Sequence, residues 1–381
     1  MKKKLLFDLI ATQPSPEAKF HGGAEYATNI FLNALDHGYT NFDCIYNPKL
    51  DLNDKIKTLC IKNDINLYPI GSISQVENFI NKNKYIKFYS SLPYEYDKFN
   101  LNNTFFIMDV LGIRELEMPG DSFELFYRNN VYSKLKLLIR KAFFKKRTKA
   151  KLYKKYEGLL SIKNKHILTI SQHSKYSLLN FFPYLNENEI TVTYPSIGYP
   201  TKDYNSEKKE DFFLLVSANR WIKNNYRAII ALDTLFSEGK LANKKVIVVG
   251  LPNKLIFKIK NKDRFILKDY VNQEELDFYY KTAYCLIYPT LNEGFGYPPL
   301  HAMKYKTPVL ASAISAVTEI CQDAVLYFNP FSISEIRNRI LQIDNDLKLY
   351  NNLQRKGELR IDSLLEAQKK MHSELLKTIF E

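Results

Sequence analysis

Nothing in this chain pairs its cysteines. The four, Cys44, Cys60, Cys285 and Cys321, lie far apart, and no two have redox or metal-site spacing. That excludes a disulfide framework and a zinc knuckle, and reads as reduced thiols in a cytosolic protein. No apolar run is long enough to span a bilayer. The start Met1-Lys-Lys-Lys-Leu-Leu-Phe-Asp-Leu-Ile10 imitates a secretion signal, but Asp8 interrupts it and no small-residue cleavage site follows, so a first strand is expected. The fingerprint G-x-G-x-x-G is missing after any early strand, which argues against a nicotinamide-dependent oxidoreductase. Asp344-Asn-Asp346 has a form that can hold a metal beside a diphosphate. It lacks a preceding hydrophobic strand and reads as a solvated helix connection, so no metal is expected.

What is present is a globular composition with charge. The 381 residues are 45% hydrophobic and 25% charged, enough for a large core and two domains. The formal net charge is +14. Lys134 to Lys155 holds eleven Lys or Arg and no acid, interleaved with Leu135, Leu137, Leu138, Ile139, Phe143, Phe144, Leu152 and Tyr153. A solvated helix packed on its own domain, a nucleic-acid contact and an anionic membrane surface all fit this pattern. The membrane is the preferred partner, and nucleic acid is not expected.

Short apolar runs alternate with helical patterns along the chain. Strands are expected at Lys4–Ile10, Phe42–Tyr46, Leu67–Ile70, Ile86–Ser90, Thr104–Met108, Lys165–Ser171 and Ile190–Tyr194. A second series follows at Phe212–Ser217, Lys245–Val249, Phe265–Leu267, Ala283–Tyr288, Pro308–Ala311 and Ala324–Phe328. This alternation indicates α/β architecture with parallel sheets. The implied division is 1–195 for the first domain, a polar linker at 196–210, and 211–360 for the second. A C-terminal helix at 361–381 would pack back on the first domain.

The most telling stretch is Tyr288-Pro-Thr-Leu-Asn-Glu-Gly-Phe-Gly-Tyr-Pro-Pro-Leu-His-Ala-Met303. A buried strand runs into a glycine-bearing loop, and two prolines open a helix, where their missing N–H is not needed. A helix start favours phosphate. Glu293 in the loop is placed to accept from hydroxyls, so the combination suits a sugar nucleotide.

Other features stand in a fixed order around it. His21-Gly-Gly-Ala-Glu25 precedes the first helix, and Asn219-Arg-Trp-Ile-Lys-Asn-Asn225 follows the first strand of the second half. Val249-Gly250 ends the next strand, Asp269-Tyr-Val-Asn-Gln-Glu-Glu-Leu276 precedes a helix, and Thr307-Pro-Val-Leu-Ala-Ser312 follows the Glu293 loop. This order resembles glycosyltransferase family 4. The resemblance implies the GT-B fold, two Rossmann-like doubly wound domains facing across a cleft, and retaining transfer from a nucleotide diphosphate sugar without a metal or other cofactor.

Roles follow from the resemblance by position. Glu293 is similar to the first glutamate of the family's E-x7-E motif, which contacts the donor sugar. Arg220 and Lys223 resemble the basic pair that neutralises the leaving diphosphate. Backbone around Gly294, Phe295, Gly296 and Tyr297 would hold the donor. Tyr270 and Val271 would lie against the base, with Gly22, Gly23 and Gly250 allowing close backbone approach. The second glutamate of the motif is His301 here, and one imidazole face replaces a carboxylate on the ribose. In the segment where the family often has His-Asp, Met108 precedes Asp109. Asp109, Arg114 and His21 are acceptor-side candidates.

The implied enzyme is a cytoplasmic hexosyltransferase, peripheral on the inner membrane face. It would move a hexose or deoxyhexose to a lipid-linked oligosaccharide, lipopolysaccharide or capsule precursor. His301 and Met108 motivate the alternative, a non-catalytic scaffolding subunit of the same fold.

Overall fold

The computed structural model describes residues 4–14, 22–118, 120–128, 130–198, 208–251 and 259–381. His21 lies outside the described residues. The chain divides into two units. The first comprises residues 1–116, 147–196 and 368–381, and the second 117–146 and 197–367.

The first unit is built on seven parallel strands: β1 (Leu5–Asp8), β2 (Phe42–Tyr46), β3 (Leu67–Pro69), β4 (Lys87–Ser90), β5 (Phe105–Asp109), β6 (Lys165–Thr169) and β7 (Ile190–Val192). Their order in the sheet is β3-β2-β1-β4-β5-β6-β7. The second unit has six parallel strands: β8 (Phe212–Leu215), β9 (Lys245–Val249), β10 (Phe265–Lys268), β11 (Cys285–Tyr288), β12 (Val309–Ser312) and β13 (Leu326–Phe328). Their order is β10-β9-β8-β11-β12-β13. Each order starts in the middle, runs to one edge, then returns to fill the other side. Both units are therefore doubly wound and Rossmann-like, with switch points between β1 and β4 and between β8 and β11.

The thirteen strands of the described residues correspond to the apolar runs of the sequence. Parallel sheets are covered on both faces, so their strands are written as continuous rather than alternating hydrophobics. Phe212–Leu215, Cys285–Tyr288 and Val309–Ser312 are buried at every position. The helices Asn225–Ser237 and Ile333–Asn345 pack on each other and share one core with the sheet through Leu232, Leu235, Ile336 and Ile340. All four cysteines are buried thiols. Burial pushes the Cys321 thiol up to about 12, so it stays protonated at neutral pH.

The division differs from one contiguous first domain over 1–195. Residues 117–146 belong to the second unit. Asp121 pairs with Arg227 through two bonds of 2.9 Å, the Arg227 guanidinium lies 3.7 Å over the Phe123 ring, and Phe126 stacks on Tyr226 at 4.5 Å. These contacts outweigh chain proximity. The last helix, Leu347–Phe380, contributes its residues from Gln368 onward to the first unit. There Gln368 donates to the Pro195 carbonyl, and Phe380 packs against Phe42 and Tyr39.

Candidate functional site

Ligands of open α/β sheets bind outside the carboxyl ends of the strands, at the switch point. In the second unit those ends carry two loops, one after β8 and one after β11. They meet through Leu291, whose N–H donates to the Ile222 carbonyl at 2.8 Å. Asn224 fastens them further, donating from Nδ2 to the carbonyls of Pro289 and Pro330 at 2.9 and 2.8 Å. It does so from a left-handed backbone, φ +55°.

Glu293 and Lys223 face each other here. The Lys223 ammonium donates to Glu293 Oε1 at 2.5 Å and to the Tyr288 hydroxyl at 3.0 Å. The same carboxylate oxygen accepts from Tyr288 at 2.6 Å and from Thr290 Oγ1 at 2.8 Å. The Glu293 N–H donates to Ser315 Oγ. Burial, then the Glu293 charge, holds the Tyr288 hydroxyl well above its ordinary range, so it remains a donor.

The two basic residues expected to act together have different surroundings. Arg220 is exposed before the short turn Trp221–Lys223, whereas Lys223 is buried. After Glu293 the chain passes Gly294 and the buried Phe295 to Gly296, at φ +107°. The helix Tyr297–Lys304 then begins with Pro298 and Pro299 in its first turn.

His301, one turn into that helix, stacks on Tyr280 at 5.7 Å and Tyr297 at 6.2 Å. Burial and the nearby Lys304 charge push its pKa down to about 4, so the imidazole is neutral at physiological pH. Tyr270 is exposed and Val271 buried after β10. Gly250, at φ +87°, lies where a Cβ would come within 3.1 Å of the Ala218 nitrogen. Glycine is thus required there by the close packing of the β8 and β9 ends.

The remaining candidates belong to the first unit. Gly22 and Gly23 open the helix Gly22–Asp36, and Arg114 opens the short helix Arg114–Glu117. Asp109 ends β5 and is completely buried, accepting from Tyr89 at 2.5 Å and Tyr26 at 3.4 Å. Burial raises its pKa to about 8, against the lowering effect of those two hydroxyls. Asp8, at the end of β1, is likewise enclosed by Ser90 and Tyr96, and burial raises its pKa too.

Arg227 is a residue the motif reading passes over. It joins Asp121 to Asn224, donating to Asn224 Oδ1 at 2.7 Å, and so braces the loop that carries Lys223. Burial pushes the Asp121 carboxyl up, but the bonds and charge of Arg227 more than reverse this and leave it below its ordinary value. The available signal was a charge on the apolar stripe Arg227, Ala231, Leu235. No helix among the described residues is long and apolar enough to cross a membrane, and no cluster of metal-ligating side chains occurs among them.

This combination of two doubly wound units and a switch-point site belongs to the GT-B glycosyltransferase fold. Residues 201–360, within the second unit, match the family model for glycosyl transferases group 1. The O-antigen chain mannosyltransferase RfbU of Salmonella typhimurium is 31% identical over 214 residues, 53% of this chain and 58% of that protein. The O-antigen chain mannosyltransferase B of Escherichia coli is 38% identical over 73 residues, 19% of each chain. The alignments thus span less than two thirds of these curated relatives. Among solved structures, WaaG, a glycosyltransferase involved in lipopolysaccharide biosynthesis, aligns with a TM-score of 0.66 at 14% identity, covering 98% of this chain and 99% of that one. HepE of Anabaena, solved in complex with UDP-glucose, aligns with a TM-score of 0.61 at 14% identity, covering 97% and 98%. At these identities the likeness establishes the fold.

Proposed function

We propose that this chain is a retaining glycosyltransferase moving a hexose or deoxyhexose from a nucleoside diphosphate sugar to a growing surface glycan. The observation that carries the reading is the enclosed Lys223–Glu293 pair at the β8–β11 switch point, with Glu293 in the loop leading to the helix Tyr297–Lys304. A carboxylate accepts from sugar hydroxyls, while an ammonium and a helix start attract a diphosphate. The names of the curated relatives favour a mannosyl donor and a surface-glycan acceptor.

In this reading Glu293 holds the donor sugar. Lys223, Arg220 and the start of the Tyr297–Lys304 helix take up charge as the diphosphate departs. The acceptor hydroxyl attacks the face the diphosphate leaves, and the departing phosphate oxygen takes its proton. No side-chain base and no metal is then needed. His301 would meet the ribose as a neutral group, with Tyr270 and Val271 by the base. Asp109 and Arg114 remain acceptor-side assignments; enclosed by tyrosines, Asp109 would act through its neighbours.

A cytoplasmic, membrane-peripheral location completes the reading. Residues 131–147 expose Val131, Tyr132, Leu135, Leu138, Ile139, Phe143 and Phe144 among Lys134, Lys136, Arg140, Lys145, Lys146 and Arg147. Anionic lipid matches both the charge and the apolar surface. The test is calorimetric titration with guanosine and uridine diphosphate hexoses, followed by transfer assays on lipid-linked saccharides. Binding and turnover are expected. Binding without turnover would favour a non-catalytic subunit, and no binding would reject the donor site.

A further inference from the structure

We propose that the side-chain carbonyl of Asn292 recognises a hydroxyl of the donor sugar, in an orientation imposed by Glu117. This rests on the donor-site reading above. Asn292 directly precedes Glu293 and is buried. Its Nδ2 donates to Glu117 Oε2 at 2.7 Å. A carboxylate only accepts, so this bond decides which way the amide is turned. The opposite end, Oδ1, is enclosed and has no hydrogen-bond partner among the described residues. Buried acceptors are nearly always paired, and an exception beside a site carboxylate marks a place for a ligand's donor group.

The arrangement is built in. Glu117 starts the segment that folds onto the second unit, and that segment is secured a few residues later by the buried Asp121–Arg227 pair. Because Oδ1 is enclosed, a hydroxyl must part the surrounding loop to reach it, which couples recognition to loop rearrangement. The site then selects a hexose that carries a hydroxyl at this position over the corresponding deoxy sugar. Rejection arises because a deoxy donor leaves the oxygen unpaired.

The test compares wild type, Asn292→Leu and Glu117→Gln. Calorimetry would measure binding of guanosine and uridine diphosphate hexoses, their monodeoxy and monofluoro analogues, and the bare diphosphates. Fluorine accepts but cannot donate. One hydroxyl position is expected to lose about five- to tenfold in wild type when changed to hydrogen or fluorine. Asn292→Leu, of similar shape, should abolish that discrimination while bare diphosphate affinity stays within about twofold. Glu117→Gln should reduce it partly, since a glutamine amide permits either orientation of Asn292, and it decides the matter alone if Asn292→Leu does not fold. Full discrimination in both variants, or equal loss for sugar nucleotide and bare diphosphate, overturns the inference. If wild type binds none of the panel, the donor-site reading itself falls and takes this inference with it.

Discussion

Lys223 Nζ lies 2.5 Å from Glu293 Oε1, with both side chains more than nine-tenths buried. The lysine comes from the loop after β8 and the glutamate from the loop after β11, two strands paired at the switch point. Two hydroxyls, from Tyr288 and Thr290, share the same carboxylate oxygen. Enclosed charges repay their desolvation only through such geometry. An arriving diphosphate would compete with Glu293 for Lys223, linking donor binding to release of the carboxylate toward the sugar.

Breaking this pair from one side should therefore cost stability as well as turnover. Glu293→Gln removes the carboxylate charge that faces the buried Lys223 ammonium, a loss of about 3–5 kcal/mol. The double variant Lys223→Met with Glu293→Gln should recover much of the thermal stability and none of the transfer activity. Denaturation curves and turnover on the same preparations separate the two effects. Wild-type turnover in Glu293→Gln would remove Glu293 from the chemistry.

The strands were legible because burial on both faces writes them as apolar runs. The ends of the linkage at the site were legible too, since strand, glycine loop and paired prolines place Glu293 at a helix entrance. The direct contact of Lys223 with Glu293 was not, because the two are 70 residues apart and nothing local records the meeting. Asp121 and Arg227 are separated by 106 residues. Their pairing moves 117–146 out of the first unit, and no composition change marks that crossing. Likewise Asp109 reads as a polar group available to a ligand until Tyr89 and Tyr26 are seen to enclose it.

That enclosure has a pH signature. An unfolded aspartate ionises near pH 3.9, whereas buried Asp109 holds its proton up to about 8. Its contribution to stability is complete below the unfolded value and is lost as pH rises toward the folded one. Asp109→Asn, neutral throughout, should raise the melting temperature at pH 8 and change it little at pH 4. An equal shift at both pH values would show that the carboxyl is ionised in the folded protein.

His301 makes the opposite case. Its imidazole titrates near 4 when folded and near 6.5 when unfolded, so its stabilising share is lost as pH falls from about 6.5 toward 4. Above about pH 5.5 it should stay neutral, and its contribution to donor affinity should not change with pH. His301→Ala should raise the donor KM several-fold, the scale of one lost hydrogen bond. His301→Glu supplies the carboxylate of the E-x7-E motif that this loop resembles and should match or improve on wild type. A donor KM that titrates near pH 6.5 in wild type, but not in His301→Ala, would show a charged imidazole at work instead.

The exposed basic and apolar stretch gives the last prediction. Each Lys or Arg near an anionic surface contributes about 1 kcal/mol before screening, and side chains such as Tyr132 and Phe143 can enter the interface. Two variants separate these contributions. Neutralising Lys145, Lys146 and Arg147 should lower vesicle binding and flatten its salt dependence. Lys149 is left alone because its ammonium donates to the Leu116 carbonyl and supports the fold. Replacing Tyr132 and Phe143 by serine should lower binding while preserving the salt dependence, since the charges remain. Sedimentation with vesicles of neutral and anionic lipid reads both effects, and activity on a short water-soluble acceptor should hardly change. If wild type and both variants partition alike, independent of salt, the helix is a solvated surface and the acceptor is reached without it.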